Sequence, residues 1–343
     1  NPGLFAVAPA IASNGTLTFR TNDNAHGTAT VNVDVVDDGG TARVGDDNTG
    51  SNTFTINIAA VNDAPILTTS GGFFSNPSGN NFTARDNFTA IDEDNTSSSG
   101  DAVSTLLNAA AAINISETSP FAAGAAPGIA VTSVDDANGN WQFSLDGTNF
   151  TDFGSVSANF SRLLDGTNPN HKIRFVPNTD FFGAATIKYR AWDKTAGVVG
   201  DTGDTSTNGG ATAFSAGEVT KTIVVNSVND EPRVAVSDIT IDEDTSAQTL
   251  AGFATGESGA TQLENAQTFT FNLSNNNTGL FDVQPTIAPN GTLTFTPKAN
   301  ANGTATVTTE VVDNGSGVSP SDNTGSNTFD INITAINDAP VLT

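Results

Sequence analysis

The chain has 343 residues, enough for two to four domains that each bury a core. Twelve basic residues against 37 acidic ones give a net charge of −25, which excludes nucleic acid and anionic membrane as partners because phosphates are repelled, and leaves cations as the natural partners. There is no Cys, so disulfides and thiol chemistry are excluded, and only 14% of residues are charged, so the acidity resides in carboxylates placed in particular loops.

In chain order, Gly3-Leu4-Phe5, Asn14-Gly15-Thr16-Leu17-Thr18-Phe19, Gly27-Thr28-Ala29-Thr30-Val31 and Val61-Asn62-Asp63-Ala64-Pro65 all return about 275 residues later, at 279–281, 290–295, 303–307 and 336–340. Roughly three residues in five match with one single-residue gap, the signature of a tandem repeat. Strict alternation marks half-buried strands: Val31, Val33 and Val35 against Thr30, Asn32 and Asp34, then Phe54, Ile56 and Ile58 against Thr53, Thr55 and Asn57. Ile173 with Phe175, 187–191, 223–225, Phe269 with Phe271, and 329–333 read alike. Asn14-Gly15, Asn138-Gly139, Asp146-Gly147, Asp165-Gly166, Asn290-Gly291 and Asn314-Gly315 supply tight turns between them. Residues 102–113, with Ser99 or Asp101 as N-cap, are predicted as one short helix, and 201–213 as a loop. The predicted class is all-β, with tandem immunoglobulin-like antiparallel β-sandwich domains in an elongated array.

Three Asn-Asp-X-Pro segments punctuate the chain at 62–65, 229–232 and 337–340; Pro stiffens each connection and ends the ladder, so these are domain junctions. The predicted units are 1–62, the C-terminal half of a repeat; 63–229, a long repeat with insertions; 230–337, a short repeat; and 338–343, the start of another. The first unit lacks the opening strands that the third carries over 234–273. A half sandwich exposes unpaired edges and an open core, so its missing half is expected from preceding sequence or from a neighbouring molecule. Without an initiator Met, a signal peptide or a membrane-spanning apolar run, targeting and anchoring are expected outside this segment.

Carboxylates recur at three places per repeat. Ile-Asp-Glu-Asp opens the second and third units (Asp92, Glu93, Asp94; Asp242, Glu243, Asp244), an Asp ends the penultimate strand (Asp37, Asp193, Asp313), and an Asn-Asp pair forms each junction (Asn62, Asp63; Asn229, Asp230; Asn337, Asp338). If a sandwich brings these groups together at the linker, they repel one another unless a hard cation sits among them. Ca²⁺ takes six to eight oxygens with tolerant geometry, whereas Mg²⁺ demands a near-ideal octahedron, so Ca²⁺ is the expected ion. Asp46, Asp47, Asp201 and Asp204 read as solvated loop residues.

Together these motifs resemble the cadherin-like tandem repeats of very large bacterial surface proteins and adhesins, and the resemblance covers essentially the whole chain. It implies Ca²⁺ ligation between successive domains, with Glu93 or Glu243 as the opening acidic ligand, Asp193 or Asp313 as the mid-domain ligand and Asp230 or Asp338 as the linker ligand. The pattern departs from cadherins in two respects. Ala60, Ser227 and Ala335 stand where cadherin linkers carry a further Asp, and no clear Asp-X-Asp pair follows each junction, with Asp135, Asp136, Glu257 and Glu264 as substitutes. Fewer ligands imply one or two ions per junction.

With only His26 and His171 present, in different units, no histidine triad or zinc site is assembled, and carboxylates that recur with the repeat are structural ligands, so no enzyme is expected. The leading expectation is an extracellular extender segment, secreted or on a bacterial surface, stiffened by Ca²⁺ and partnered by neighbouring repeats. Two alternatives stand beside it: a filament subunit joined by strand complementation, or a long domain that binds a cell-surface or glycan target through an exposed cluster including Trp141 or Phe150, although Trp141, Trp192, Tyr189 and Phe150 on alternating strands read first as core anchors.

Overall fold

A computed structural model describes residues 1–36, 48–68, 81–84, 87–109, 128–259, 266–318 and 320–337. The chain divides into two compact units, Asn1–Val225 and Asn226–Thr343. No helix among the described residues is long and apolar enough to cross a membrane.

Unit 1 opens with β1 (Phe5–Ile11), β2 (Leu17–Thr21), β3 (Gly27–Val36) and β4 (Asn48–Ile58), paired as two hairpins, β1–β2 and β3–β4. The Asn14-Gly15 turn closes the first: Gly15 takes a φ of 84° and the Asn14 carboxamide accepts the Thr16 N–H at 3.1 Å. There follow β5 (Ile66–Thr68), β6 (Asn81–Ala84), β7 (Ile91–Asp92), β8 (Asp101–Ala102), α1 (Val103–Leu106) and β9 (Leu107–Ala109). The rest of the unit comprises β10 (Gly128–Val134), β11 (Gly139–Ser144), β12 (Thr151–Asp152), β13 (Ser161–Asp165), β14 (Lys172–Pro177), β15 (Gly183–Trp192), β16 (Thr202–Gly203) and β17 (Val219–Asn226).

A six-stranded sheet, β16-β13-β10-β15-β17-β7, faces a four-stranded sheet, β12-β11-β14-β8, across one core. Alternation explains why: Ile173 and Phe175 of β14 point inward towards Ile187, Tyr189 and Ala191 of β15, and all five are fully buried. The Trp141 ring lies 4.9 Å from Phe88 and 5.3 Å from Phe175.

One expectation changes here. The helix predicted over 102–113 is one turn, after which Leu107 enters β9 and pairs with Ala84; 110–113 lie outside the described residues. Asp101 does not cap it, since its carboxylate accepts from Thr89 N–H at 2.9 Å and Thr89 Oγ1 at 2.7 Å. Ser104 and Thr105 are weak helix formers, and Thr105 Oγ1 donates back to the Ala102 carbonyl at 2.7 Å. The aromatic residues take the core reading: Trp141, Tyr189 and Trp192 are core residues, while Phe150 is half-buried under the Arg174 guanidinium, 4.0 Å from its centroid, so no exposed ring cluster is present for a sugar among them.

Unit 2 comprises β18 (Arg233–Ala235), β19 (Ile239–Asp242), β20 (Gln248–Leu250), β21 (Thr255–Glu257), β22 (Phe269–Asn275), β23 (Phe281–Ile287), β24 (Leu293–Pro297), β25 (Gly303–Asp313) and β26 (Thr324–Thr334). The sheets β19-β26-β25-β22 and β20-β24-β23 enclose a core built on Leu293, Phe295, Val307, Val311, Phe329 and Ile331. Strands β23 to β26 repeat β1 to β4, as the sequence repeat requires. Among the described residues of unit 2, pairing is antiparallel except for β19 with β26, in register from Ile239↔Ile331 to Asp242↔Thr334. The parallel pair is what places the acidic opening motif.

Candidate metal centre

Because β19 runs parallel to β26, both end at the same pole of unit 2, the trailing end from which the chain leaves. There Thr334 Oγ1 donates to Asp242 Oδ1 at 2.6 Å, and the Glu243 N–H donates to the Thr334 carbonyl at 2.9 Å. Glu243 is 4% exposed. One oxygen accepts the Ile336 N–H at 2.9 Å and the other accepts the Asn302 carboxamide at 3.1 Å. Asp244 adopts a left-handed backbone (φ 63°) and its Oδ1 accepts the N–H of Asn300, itself left-handed (φ 54°), at 2.8 Å.

Unit 1 repeats this arrangement. β7 lies beside β17, Glu93 is again 4% exposed, and Asp94 (φ 62°) accepts the N–H of Asp180 (φ 57°) at 3.2 Å. Asp92, Glu93, Asp94 and Asp180 thus share one end of the long repeat.

The junction Asn residues and strand-end Asp residues meet at the other, leading end. In unit 1, Asn62 Nδ2 donates to Asp193 Oδ2 at 3.0 Å and to the Thr212 carbonyl at 2.9 Å, and the Ala64 N–H reaches the Gly210 carbonyl at 2.7 Å. Asp193 Oδ1 also accepts Thr195 N–H and Oγ1 at 2.8 and 2.6 Å. In unit 2, Asn229 Nδ2 donates to both oxygens of Asp313 at 3.3 Å and to the Asp322 carbonyl at 2.7 Å, while Gln267 Nε2 donates to Asn229 Oδ1 at 2.5 Å. Asp193 and Asp313 are each 5% exposed. Gly315 makes room for this contact: a Cβ there would lie 1.8 Å from Asn229 Oδ1.

The three acidic recurrences of one repeat therefore do not converge on one point. Eleven residues of β25 separate Gly303, beside the trailing set, from Asp313 in the leading set, about 30 Å at strand rise. Asn62, Asp193, Asn229 and Asp313 belong to leading ends, followed in sequence by Asp63 and Asp230. Asp92, Glu93, Asp94, Asp242, Glu243 and Asp244 belong to trailing ends, with Asn337 one residue beyond Ile336. Asp37 and Asp338 lie outside the described residues, as do Asp46, Asp47 and Glu264. Asp135 and Asp136 are turn acceptors for Ala137 and Trp141 N–H groups, towards the Gly183 end of β15 and away from Asp193. Asp201 and Asp204 are exposed, as read from the sequence. Asp180, Asn300 and Asn302 were not singled out as site residues. The signal was present: Asn24, Asp180 and Asn300 each precede Gly27, Gly183 and Gly303 by three residues, and all three are left-handed.

No family model matches the chain, and no curated protein matches it. Among solved structures it is similar to mouse protocadherin-24 EC1-3 (13% identity, 97% of this chain and 88% of that one, TM-score 0.44). It is also similar to Drosophila N-cadherin EC1-4 (16%, 97% and 63%, TM-score 0.35) and to human mucin-like protocadherin EC1-2 (12%, 58% and 85%, TM-score 0.30). Likenesses of this depth carry no function with them.

The donor sets themselves consist of carboxylate, carboxamide and backbone oxygens, with neither imidazole nor thiolate, which suits a hard cation and not zinc or copper. The donors to Glu243, Asp193 and Asp313 named above are neutral, and buried carboxylates are costly without compensation. A carboxylate oxygen carries two lone pairs, so the hydrogen bond named above at each Glu243 oxygen is compatible with an ion on the other. Titration behaviour sets another cluster apart. Burial alone would raise the Asp165 carboxyl, but the ion pair with Lys194 and hydrogen bonds from Thr167 offset this and lower it. Asp146 is held far below the usual carboxylate range by the Asn149 side chain and by Asn149 and Thr148 N–H groups, which stiffens the 144–149 turn.

Proposed function

We propose that the chain is a structural extender of cadherin-like β-sandwich repeats, secreted or on a bacterial surface, stiffened by Ca²⁺ held at the repeat junctions. In this reading the repeats are 1–62, 63–229 and 230–337, with another opening at 338–343. The observation that carries it is the twofold recurrence, with the same backbone geometry, of a buried glutamate followed by a left-handed aspartate at each trailing end. An ornamental acidic surface has no need to bury Glu93 and Glu243. Asp242, Glu243 and Asp244, with Asn337 and Asp338, would form the trailing ligand set of the short repeat; Asp92, Glu93 and Asp94 would belong to that of the long one, and Asn229 and Asp230 to the leading set of the short repeat. Asp37, Asp193 and Asp313, with Asn62 and Asp63, would complete junction shells. Ca²⁺ supplies charge neutralisation and cross-linking, and no reaction is assigned to these groups.

The test is calorimetric Ca²⁺ titration of the whole chain, repeated with Glu243→Gln and Asp230→Ala. Saturable binding weakened about tenfold or more by each change supports the reading. An absence of binding heat, together with melting unchanged by chelator, would falsify it.

A further inference from the structure

Asparagine precedes glycine at Asn14, Asn138, Asn208, Asn290, Asn302 and Asn314. In such a pair the side-chain carbonyl is open to attack by the glycine's own amide nitrogen, because glycine has no Cβ to block the approach. The surroundings of that amide separate the pairs. Gly15, Gly209 and Gly291 donate theirs to the neutral carbonyls of Ala12, Phe214 and Ala288, each at 2.8 Å. Gly139 and Gly303 open β11 and β25. Gly315 donates instead to a carboxylate, Asp313 Oδ1, at 2.7 Å. Asn229 Nδ2 approaches the same oxygen less closely, at 3.3 Å.

The group under attack is held as well. Asn314 Oδ1 accepts the N–H of Thr268, the residue before β22, at 2.9 Å, which polarises the side-chain carbonyl. Asn314 itself is exposed, so water reaches it and ammonia can leave. A base on the attacking amide, a donor on the attacked carbonyl and open solvent are what ring closure requires, and within unit 2 they meet at this turn.

We infer that Asn314 is a self-modification site, converted through ring closure with Gly315 to aspartate and isoaspartate. The Gly315 nitrogen forms a bond to Cγ of Asn314. Asp313 takes the amide proton and passes it to the leaving nitrogen, the Cγ–Nδ2 bond breaks, and ammonia departs. Water then opens the cyclic imide at either carbonyl. Water enters, ammonia leaves, and nothing is oxidised or reduced. The sequence encodes the product elsewhere: Val35-Val36-Asp37-Asp38-Gly39 stands against Val311-Val312-Asp313-Asn314-Gly315, so conversion gives the third unit the acid that the first already carries. The long repeat has Lys194 at this place, and Asp193 Oδ1 there accepts the Thr195 N–H at 2.8 Å as Asp313 accepts that of Gly315. The isoaspartyl form also lengthens the main chain beside Gly315, where the approach of Asn229 leaves no space for an added carbon. The assignment does not depend on the Ca²⁺ reading.

Peptide mass mapping of the whole chain tests it, after ageing in neutral buffer made with heavy-oxygen water and chelator. The label counts only conversion during the incubation, and the chelator keeps Asp313 free of ions. Asn314 is expected to convert at least about tenfold faster than Asn290, its companion in unit 2. In unfolding urea the two rates should converge, since Thr268 and Asp313 no longer hold the reacting groups in place. Asp313→Asn keeps an acceptor for the Gly315 N–H but removes the base, so conversion at 314 should slow at least about tenfold while that at 290 stays the same. A rise at 290 would mark a variant that does not fold, and the urea comparison, which needs no variant, then decides. Equal rates at 314 and 290 in the folded chain, an advantage at 314 that survives urea, or a folded Asp313→Asn chain that converts as fast as the parent would each overturn the inference.

Discussion

Leu17 and Leu293 occupy the same place in two copies of one repeat, so truncating each to alanine separates burial from sequence. Leu293 is fully buried. Removing three carbons loses about 2.4 kcal/mol of transfer free energy at ~0.8 kcal/mol per carbon. The cavity left behind brings the expected cost to about 3–4 kcal/mol. Leu17 already leaves 38% of its surface in water and lies on an open face that encloses no cavity. Scaling the transfer term alone gives about 1.5 kcal/mol. A chain with two units does not unfold as one two-state body, so native-state amide exchange, read strand by strand, is the appropriate assay. At 1.4 kcal/mol per decade, Leu293→Ala should speed exchange in β24 and β25 by a few hundredfold, and Leu17→Ala should speed it in β2 and β3 by about tenfold. Equal losses in the two copies would refute the open face.

Gly315→Ala should drive Asn229 off Asp313 at a cost of about 1–3 kcal/mol, visible as faster exchange around 229–232; unchanged exchange there would contradict the close approach. His171 is buried and its Nδ1 accepts the Asp165 N–H at 3.0 Å. Burial lowers its pKa below 6.5, against the pull of Asp165. A lowered folded pKa means that the folded state binds fewer protons, so this contribution is present above the unfolded value and is lost as pH falls through the folded one. Between about pH 7 and about pH 5 unit 1 should weaken in urea, and His171→Gln should flatten that slope; a slope unaffected by the substitution would remove His171 from the account. Tyr189 donates its buried hydroxyl to the Leu106 carbonyl at 2.8 Å, so Tyr189→Phe should cost about 1–2 kcal/mol and loosen α1, measured as faster exchange at Val103; an unchanged rate would count against this tie.

The strands were legible because each carries its own period. Val307 and Val311 of β25 and Phe329, Ile331 and Ile333 of β26 alternate inward as written, and Asn14-Gly15 closes its hairpin by local turn chemistry. The acidic residues were legible as a recurring set, but their distribution was not. Whether Glu243 meets Asp313 depends on the direction of β19, and a four-residue strand carries no direction in its side-chain pattern. Pairing alongside β26 decides it, and that is a tertiary choice. The aromatic residues were legible as core anchors, although Trp141 and Tyr189 have the same alternation whether their face is covered by a second sheet or by a sugar, and burial decides it. The helix predicted over 102–113 failed because Leu107 found a strand partner in Ala84, and a pairing partner outweighs weak helix propensity.

The parallel alignment of β19 and β26 also settles how the short repeat bears load. Tension applied through the chain pulls β19 from its start, on the side of Ile239, and β26 from its finish, at Thr334, so the two strands are drawn lengthwise past each other. The ladder from Ile239↔Ile331 to Asp242↔Thr334 is then loaded in shear, with every rung strained at once, whereas a hairpin pulled from its open end peels one rung at a time. Glu243 and Asp244 lie immediately beyond the last rung. Whatever tightens that acidic cap also fastens the ladder at the point where sliding must begin.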